Sequence, residues 1–345
     1  MSRPGLRFAV PAALGMLLGS PAAFAAPASA AVPKLHGTAC GTWPAPEADQ
    51  GVAVDAEAFY AIDNTVIARY PRDGGPRQAL WDGRVGPLIH INSCQALTGK
   101  LWCAHSNYPG KPMTSSVEVF DAATLAPLAS HSLGFRAEGS LVWLEPIRDG
   151  WLAGFAHYDG KGGEPGRSQR YSGVVQFDTQ WRRTGGWVFP DDVLQRMAPH
   201  AASGGAIGAD GWLYAMGHDR GELYVLGKPL QGSTLVHLAT IDVPAEGQAF
   251  SWLPDARAIL VVLRHQGLVR RIDIPPLPER VAAAALPFAP RSVPRPCAAV
   301  IGGATLLTGY GRVKSGPRRE AGRVACMGPG KGKSTFSSAG DPAGR

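Results

Sequence analysis

The sequence predicts an all-β fold: a six-bladed β-propeller of four-stranded blades, with the last blade closed by an N-terminal strand. Three observations predict it. Gly 44 and Pro 30 are spread along the 345 residues rather than clustered, which suits many short strands joined by turns. Helix-period patterns are scarce. Most decisively, a unit of roughly 40 residues recurs, the period of a four-stranded blade.

Residues 1–30 read as a secretory signal. Arg3 and Arg7 form a positive start, an apolar run follows from Phe8 to Gly19, and Ala23-Phe24-Ala25 and Ala28-Ser29-Ala30 offer cleavage sites. Pro11 and Pro21 interrupt the run, which is too short to span a bilayer. This predicts an exported chain, periplasmic or secreted, with no membrane insertion. The propeller is then expected over 31–311 and a basic, partly disordered tail over 312–345.

Within the repeat, second strands align at 59–62, 101–104, 151–156, 212–217, 258–263 and 304–310, and third strands at 66–70, 116–120, 173–177, 222–226 and 268–272. Five clear units and a degenerate sixth match a ring whose last blade is shared between the chain ends. The segment around 35–43 is the expected outer closing strand. Two stacked sheets of a sandwich would not repeat at this length. One short helix is expected at 191–197, after Pro190, with Asp191 and Asp192 in its first turn.

Five cysteines in an oxidising compartment favour disulfides. A two-residue Thr98-Gly99 turn sets Cys94 opposite Cys103 at a non-hydrogen-bonded position, where Cα atoms approach to roughly 4.5 Å. Cys40, Cys297 and Cys326 leave one odd thiol, and their pairing stays open.

Of the formal charge of +7, the signal carries +2 and 312–345 carries +6, leaving 31–311 at −1. A near-neutral body lacks the electrostatic footprint of a nucleic-acid binder.

The first unit reads Gly51-Val-Ala-Val-Asp55, Phe59-Tyr-Ala-Ile-Asp63-Asn64, Val66-Ile-Ala-Arg-Tyr70. It resembles an NHL repeat and is similar to the first blade of SMP-30/gluconolactonase-type lactonases. The resemblance implies a propeller, and for such lactonases a divalent metal held partly by a glutamate at the start of this inner strand. This chain has Asp49 and Gln50 there.

In a propeller the loops between second and third strands share one face with the loops between blades. His105, His157, His218 and His265 each follow a second strand directly, and blade one has Asp63 there. His265-Gln266-Gly267 is a tight turn, which leaves His105, His157 and His218 as a candidate set for one divalent metal ion. The long loops of blades two and three begin at His105 and His157, and long loops in a compact fold are usually functional. Asn107, Tyr108 and Tyr158 in these loops, Asp219 directly after His218, and His90 and Gln248 at inner strands are candidate substrate contacts. Glu138 and Glu246, in inter-blade loops, are candidate catalytic carboxylates.

Met327-Gly-Pro-Gly-Lys-Gly-Lys-Ser334 resembles a phosphate-binding loop but has Met327 where glycine is required. Two functions remain. One is a small-molecule enzyme, a lactonase-like hydrolase or isomerase, with its site at the loop-rich mouth of the channel. The alternative is a non-catalytic scaffold of the cell envelope that binds a ligand or protein there.

Overall fold

Five sheets follow one another along the chain in the computed structural model, which describes residues 31–279 and 285–288. Blade 1 comprises Gly51–Val54, Ala58–Asp63, Val66–Pro71 and Ala79–Asp82. Blade 2 comprises Ile91–Leu97, Lys100–Ser106, Thr114–Asp121 and Pro127–Phe135. Blade 3 follows as Ser140–Ile147, Gly150–Ala156, Gly173–Asp178 and Arg183–Val188, and blade 4 as Ala202–Ile207, Leu213–Gly217, Glu222–Gly227 and Val236–Asp242. Blade 5 takes Ser251–Trp252, Ala258–Leu263 and Leu268–Asp273 from the end of this series. Its fourth, outer strand is Thr38–Pro44, antiparallel to Leu268–Asp273. Just before it, Lys34–His36 adds a parallel edge strand to blade 4.

The expected closure by the N-terminal strand is therefore present, but the ring has five blades, not six. The reason lies in the packing. Apolar residues alternate to both faces of each sheet, and they form one core between each pair of neighbouring blades. Five such cores occur. The one between blades 5 and 1 joins Leu260, Val262 and Val269 to Val52, Phe59 and Ala61. With Thr38–Pro44 completing blade 5, its sheet packs directly on blade 1 and leaves no place between them. The expected sixth unit at 304–310, the signal at 1–30 and the tail 312–345 lie outside the described residues.

The short helix forms at Asp191–Met197 as expected, with Val193, Leu194 and Met197 buried against blades 3 and 4.

The Cys94–Cys103 disulfide is present, with Cα atoms 3.9 Å apart across the pair in register. The turn between its strands has Thr98 at φ 49° and Gly99 at φ 74°. Positive φ at both central residues is the type I′ geometry that matches the strand twist. Replacing both cysteines with alanine is expected to cost about 2–3 kcal/mol, because a cross-link over roughly ten residues no longer restricts the unfolded chain. Urea denaturation reads this directly. A loss below about 1 kcal/mol would show the bond to be dispensable.

Candidate functional site

A cavity of about 380 Å³ opens on the channel at the face carrying the loops between second and third strands. Each blade supplies a part of its wall. Blade 1 gives Asp49, Gln50 and Asn64. Blade 2 gives His90, Asn92 and Tyr108, and blade 3 adds Tyr158 and Lys161. Blade 4 brings His200, Ser203 and His218, and blade 5 closes the circle with Gln248 and Arg264. Asp49, Gln50, His90, His200 and Gln248 lie in or at the loops entering inner strands, Asn92 and Ser203 lie within them, and Asn64, Tyr108, Tyr158, Lys161, His218 and Arg264 follow second strands, so the sheets fix where each begins.

His90, Tyr108, Tyr158, His218 and Gln248, expected from sequence, do line this cavity. Asp219 adjoins it through His218. The expected cluster of His105, His157 and His218 is not assembled. His105 is turned into blade 2, where its Nε2 accepts from the Ile89 backbone N–H at 3.3 Å and its Nδ1 lies 2.9 Å from Ser116 Oγ. An N–H can only donate, so Nε2 is bare and Nδ1 carries the proton, which Ser116 accepts while donating to Glu118 at 2.6 Å. His157 is fully buried, and its Nε2 donates to the Ala137 carbonyl at 3.0 Å. His105 and His157 thus both turn to backbone groups of the loop that enters their own blade, Ile89 and Ala137 respectively.

The expected carboxylates are also spent elsewhere. Glu138 pairs with Arg183 at 3.2 Å, and Glu246 lies 3.8 Å from His265. Neither lines the cavity. Asn107 holds its own loop together, donating to the Pro112 carbonyl and accepting from Thr114 N–H.

Two networks organise the cavity instead. On the side of blades 1 and 2, His90 Nδ1 bonds to the Asn64 side-chain oxygen, and its ring packs 4.8 Å from Tyr108, which meets Tyr158 edge-on at 5.0 Å. Burial, aided by nearby His105, pushes the His90 pKa down to about 4, so the ring is neutral at physiological pH. Burial raises the Tyr108 hydroxyl, which stays protonated.

On the side of blades 4 and 5, the Asp219 carboxylate receives His200 Nδ1 at 2.8 Å and His218 Nδ1 at 2.7 Å. Burial pushes Asp219 up, but the bonds from the two imidazoles more than offset it and hold the carboxyl below its usual range. Arg264 Nη1 reaches His218 Nε2 at 3.0 Å, and its Nε reaches Asp49 at 3.3 Å. With its amide oxygen facing Arg264, Gln248 accepts from Nη1 at 2.8 Å and donates to the Gln50 carbonyl at 3.3 Å. His218 is pushed down, first by burial and further by His200 and Arg264, although Asp219 pulls the other way.

His200 and Arg264 were not expected from sequence. His200 sits in the loop before the blade 4 inner strand, the kind of place that singled out Gln248. Arg264 gave no signal beside the turn at His265.

Among the described residues, His200, His218 and Asp219 form the group whose ligand atoms come within 4.8 Å of one another. Imidazole and carboxylate donors suit zinc and similar ions. The arrangement fits a divalent ion poorly, however. Both Asp219 oxygens already accept Nδ1–H groups, and the ion would sit beside a guanidinium that holds the other nitrogen of His218.

No protein-family model matches the chain, and no curated protein does. Solved structures with a similar fold include a gluconolactonase from Xanthomonas campestris, at 14% identity and TM-score 0.40, over 65% of this chain and 71% of that one. The WD40 β-propeller domain of Doa1 aligns at 12% identity and TM-score 0.37, over 65% of this chain and 78% of its own. U3-55K aligns at 9% identity and TM-score 0.39, over 65% and 80% respectively. What this chain shares with them is the β-propeller fold.

Proposed function

We propose that this chain binds a small, uncharged, polyhydroxylated molecule of the sugar or sugar-lactone kind in the channel-mouth cavity and acts on it as a hydrolase or isomerase. The observation that carries the reading is how the cavity spends its charges. Arg264 is paired with Asp49, and Asp219 with two imidazoles. What remains toward the ligand is largely neutral: the side-chain oxygens of Asn92 and Gln50, whose amide nitrogens donate to the Leu141 carbonyl and Asp49, the Ser203 hydroxyl and the Tyr108 ring, with Lys161 at the exposed rim. Amides and hydroxyls bond sugar hydroxyls, and an aromatic face packs on sugar C–H groups. A volume near 380 Å³ lies at the small end of ligand sites, which suits one or two sugar rings. Export belongs to the same proposal, supported by the Cys94–Cys103 bond, since disulfides persist in oxidising compartments.

The test is binding and turnover with D-glucono-δ-lactone and a panel of neutral mono- and disaccharides. Saturation-transfer NMR is expected to detect at least one of them. Tyr108→Ala is expected to weaken that binding about 10-fold, the loss of roughly 1.4 kcal/mol. If nothing in the panel binds at 10 mM, while an envelope protein protects this face from hydrogen exchange, the scaffold reading replaces this one.

A further inference from the structure

The two histidines that share Asp219 differ in one respect. Each gives its Nδ1 to the carboxylate, at 2.8 Å from His200 and 2.7 Å from His218. An ionised carboxylate only accepts, so both Nδ1 atoms carry protons. The opposite nitrogens then decide what each ring does. His218 Nε2 faces Arg264 Nη1 at 3.0 Å, and a guanidinium only donates. His218 is therefore a neutral ring with its lone pair occupied. His200 Nε2 has no hydrogen-bond partner among the described residues, and His200 lines the cavity.

We infer that His200 is the basic group of this site, its Nε2 lone pair presented to the ligand, and that Arg264 and His218 are positioning residues that keep it so. This deepens the proposed function and rests on it for the identity of the ligand. The rings of His200 and His218 lie 4.2 Å apart, tilted by 34°, so two imidazolium ions there would repel. Arg264 prevents this by holding His218 neutral. Asp219 accepts from His200 Nδ1, which leaves Nε2 as the open nitrogen of the pair. Charged groups around the pair are Asp219, Arg264 and Asp49, with Lys161 at the rim. A carboxylate that fixes the tautomer of a histidine and stabilises its protonated form is the arrangement of a general base.

For a lactone the step balances without a co-reactant other than water. His200 Nε2 takes one proton from a water molecule as its oxygen bonds to the carbonyl carbon. Collapse of that adduct breaks the ring C–O bond, and the proton on His200 passes to the departing alkoxide. One water is consumed and the hydroxy acid is released.

Carbethoxylation by diethyl pyrocarbonate, which attacks bare imidazole nitrogens, tests the asymmetry without a ligand. Peptide mapping at pH 7 is expected to show His200 modified at least about 10-fold faster than His218. In Arg264→Gln the lone pair of His218 is uncovered, and His218 is expected to react at a rate within a few fold of His200. Equal rates in the unaltered protein, or a His218 still protected in Arg264→Gln, would overturn the inference. Should that variant not fold, long-range ¹⁵N–¹H correlation on the unaltered protein reads the tautomers directly. A proton on Nε2 of either neutral ring would then sink the idea. Lactone turnover separates the two levels of argument. The expected modification pattern with no hydrolysis of D-glucono-δ-lactone removes the lactone reading and leaves His200 as the basic group. Hydrolysis that survives His200→Gln undiminished removes the inference and leaves the reading.

Discussion

Trp143→Ala is expected to lower the stability of the propeller by about 3–5 kcal/mol, the cost of removing a large aromatic side chain and leaving a cavity. Trp143 is 1% exposed in the core between blades 3 and 4. Its ring lies over the Cα atoms of Gly154 and Gly205, where an added methyl would overlap it. The two glycines are therefore the complement of the tryptophan, Gly154 as its cross-strand partner in blade 3 and Gly205 on the facing blade 4. Gly205→Ala alone is expected to cost about 1–3 kcal/mol, since the ring must leave its position. Combining it with Trp143→Phe is expected to recover part of that loss, because residues in contact do not add independently. Urea midpoints at unchanged m values measure each term. A Trp143→Ala protein within 1 kcal/mol of the unaltered one would mean this interface is not what holds blades 3 and 4 together.

Stability is expected to fall by about 2 kcal/mol between pH 6.5 and 8, and Glu145→Gln to abolish most of that fall. Glu145 lies two residues beyond Trp143 on the same inner strand, and its Oε2 is sealed from solvent without a partner. Burial pushes its pKa up to about 8, against a small opposing pull from the Ile207 backbone. A carboxyl raised in the folded state holds its proton more tightly there than in the unfolded chain. Its contribution is thus complete below the unfolded value of 4.5 and is lost as pH rises toward 8. His90 acts in the opposite sense. Its folded pKa of about 4 lies below the ordinary 6.5, so stability gained from a neutral His90 is present above 6.5 and is lost as pH falls toward 4. The two slopes oppose one another between pH 4.5 and 6.5, which leaves 6.5 to 8 as the window for Glu145. At 1.36 kcal/mol per unit, that window gives the figure of about 2. A flat profile there in the unaltered protein would show that Glu145 is ionised and solvated.

Much of the blade architecture was legible because its determinants are local. Short continuous apolar runs over 58–62 and 258–263, bounded by turn residues, specify strands buried on both faces, and a Thr98-Gly99 pair specifies a two-residue hairpin. The register of that hairpin then decided the Cys94–Cys103 bond by counting alone. The helix at Asp191–Met197 was marked by Pro190 and two acidic residues at its start.

The candidate site was legible only in outline. Loop position directed attention to one face, because second-to-third-strand turns and inter-blade loops must share it. It could not say which way a side chain turns on reaching that face. His105 and His218 follow equivalent strands, yet Ser116 and the Ile89 N–H draw the first into its blade while Asp219 and Arg264 hold the second at the cavity. Asp219 adjoins His218 in the chain, but Arg264 lies 46 residues away, and no spacing rule connects residue 218 to residue 264.

Readable from the residues alone were the strands of the five described blades, their grouping in fours, the closing N-terminal strand and the hairpin disulfide. Each follows from hydrogen-bonding periodicity or turn chemistry within a few tens of residues. The closing of the ring at five blades and the joining of His200, Asp219, His218 and Arg264 into one network come from three-dimensional packing instead. Both depend on packing between elements far apart in the chain: the core joining Leu260 to Val52 fixes the blade number, and the ring so closed sets Arg264 against His218.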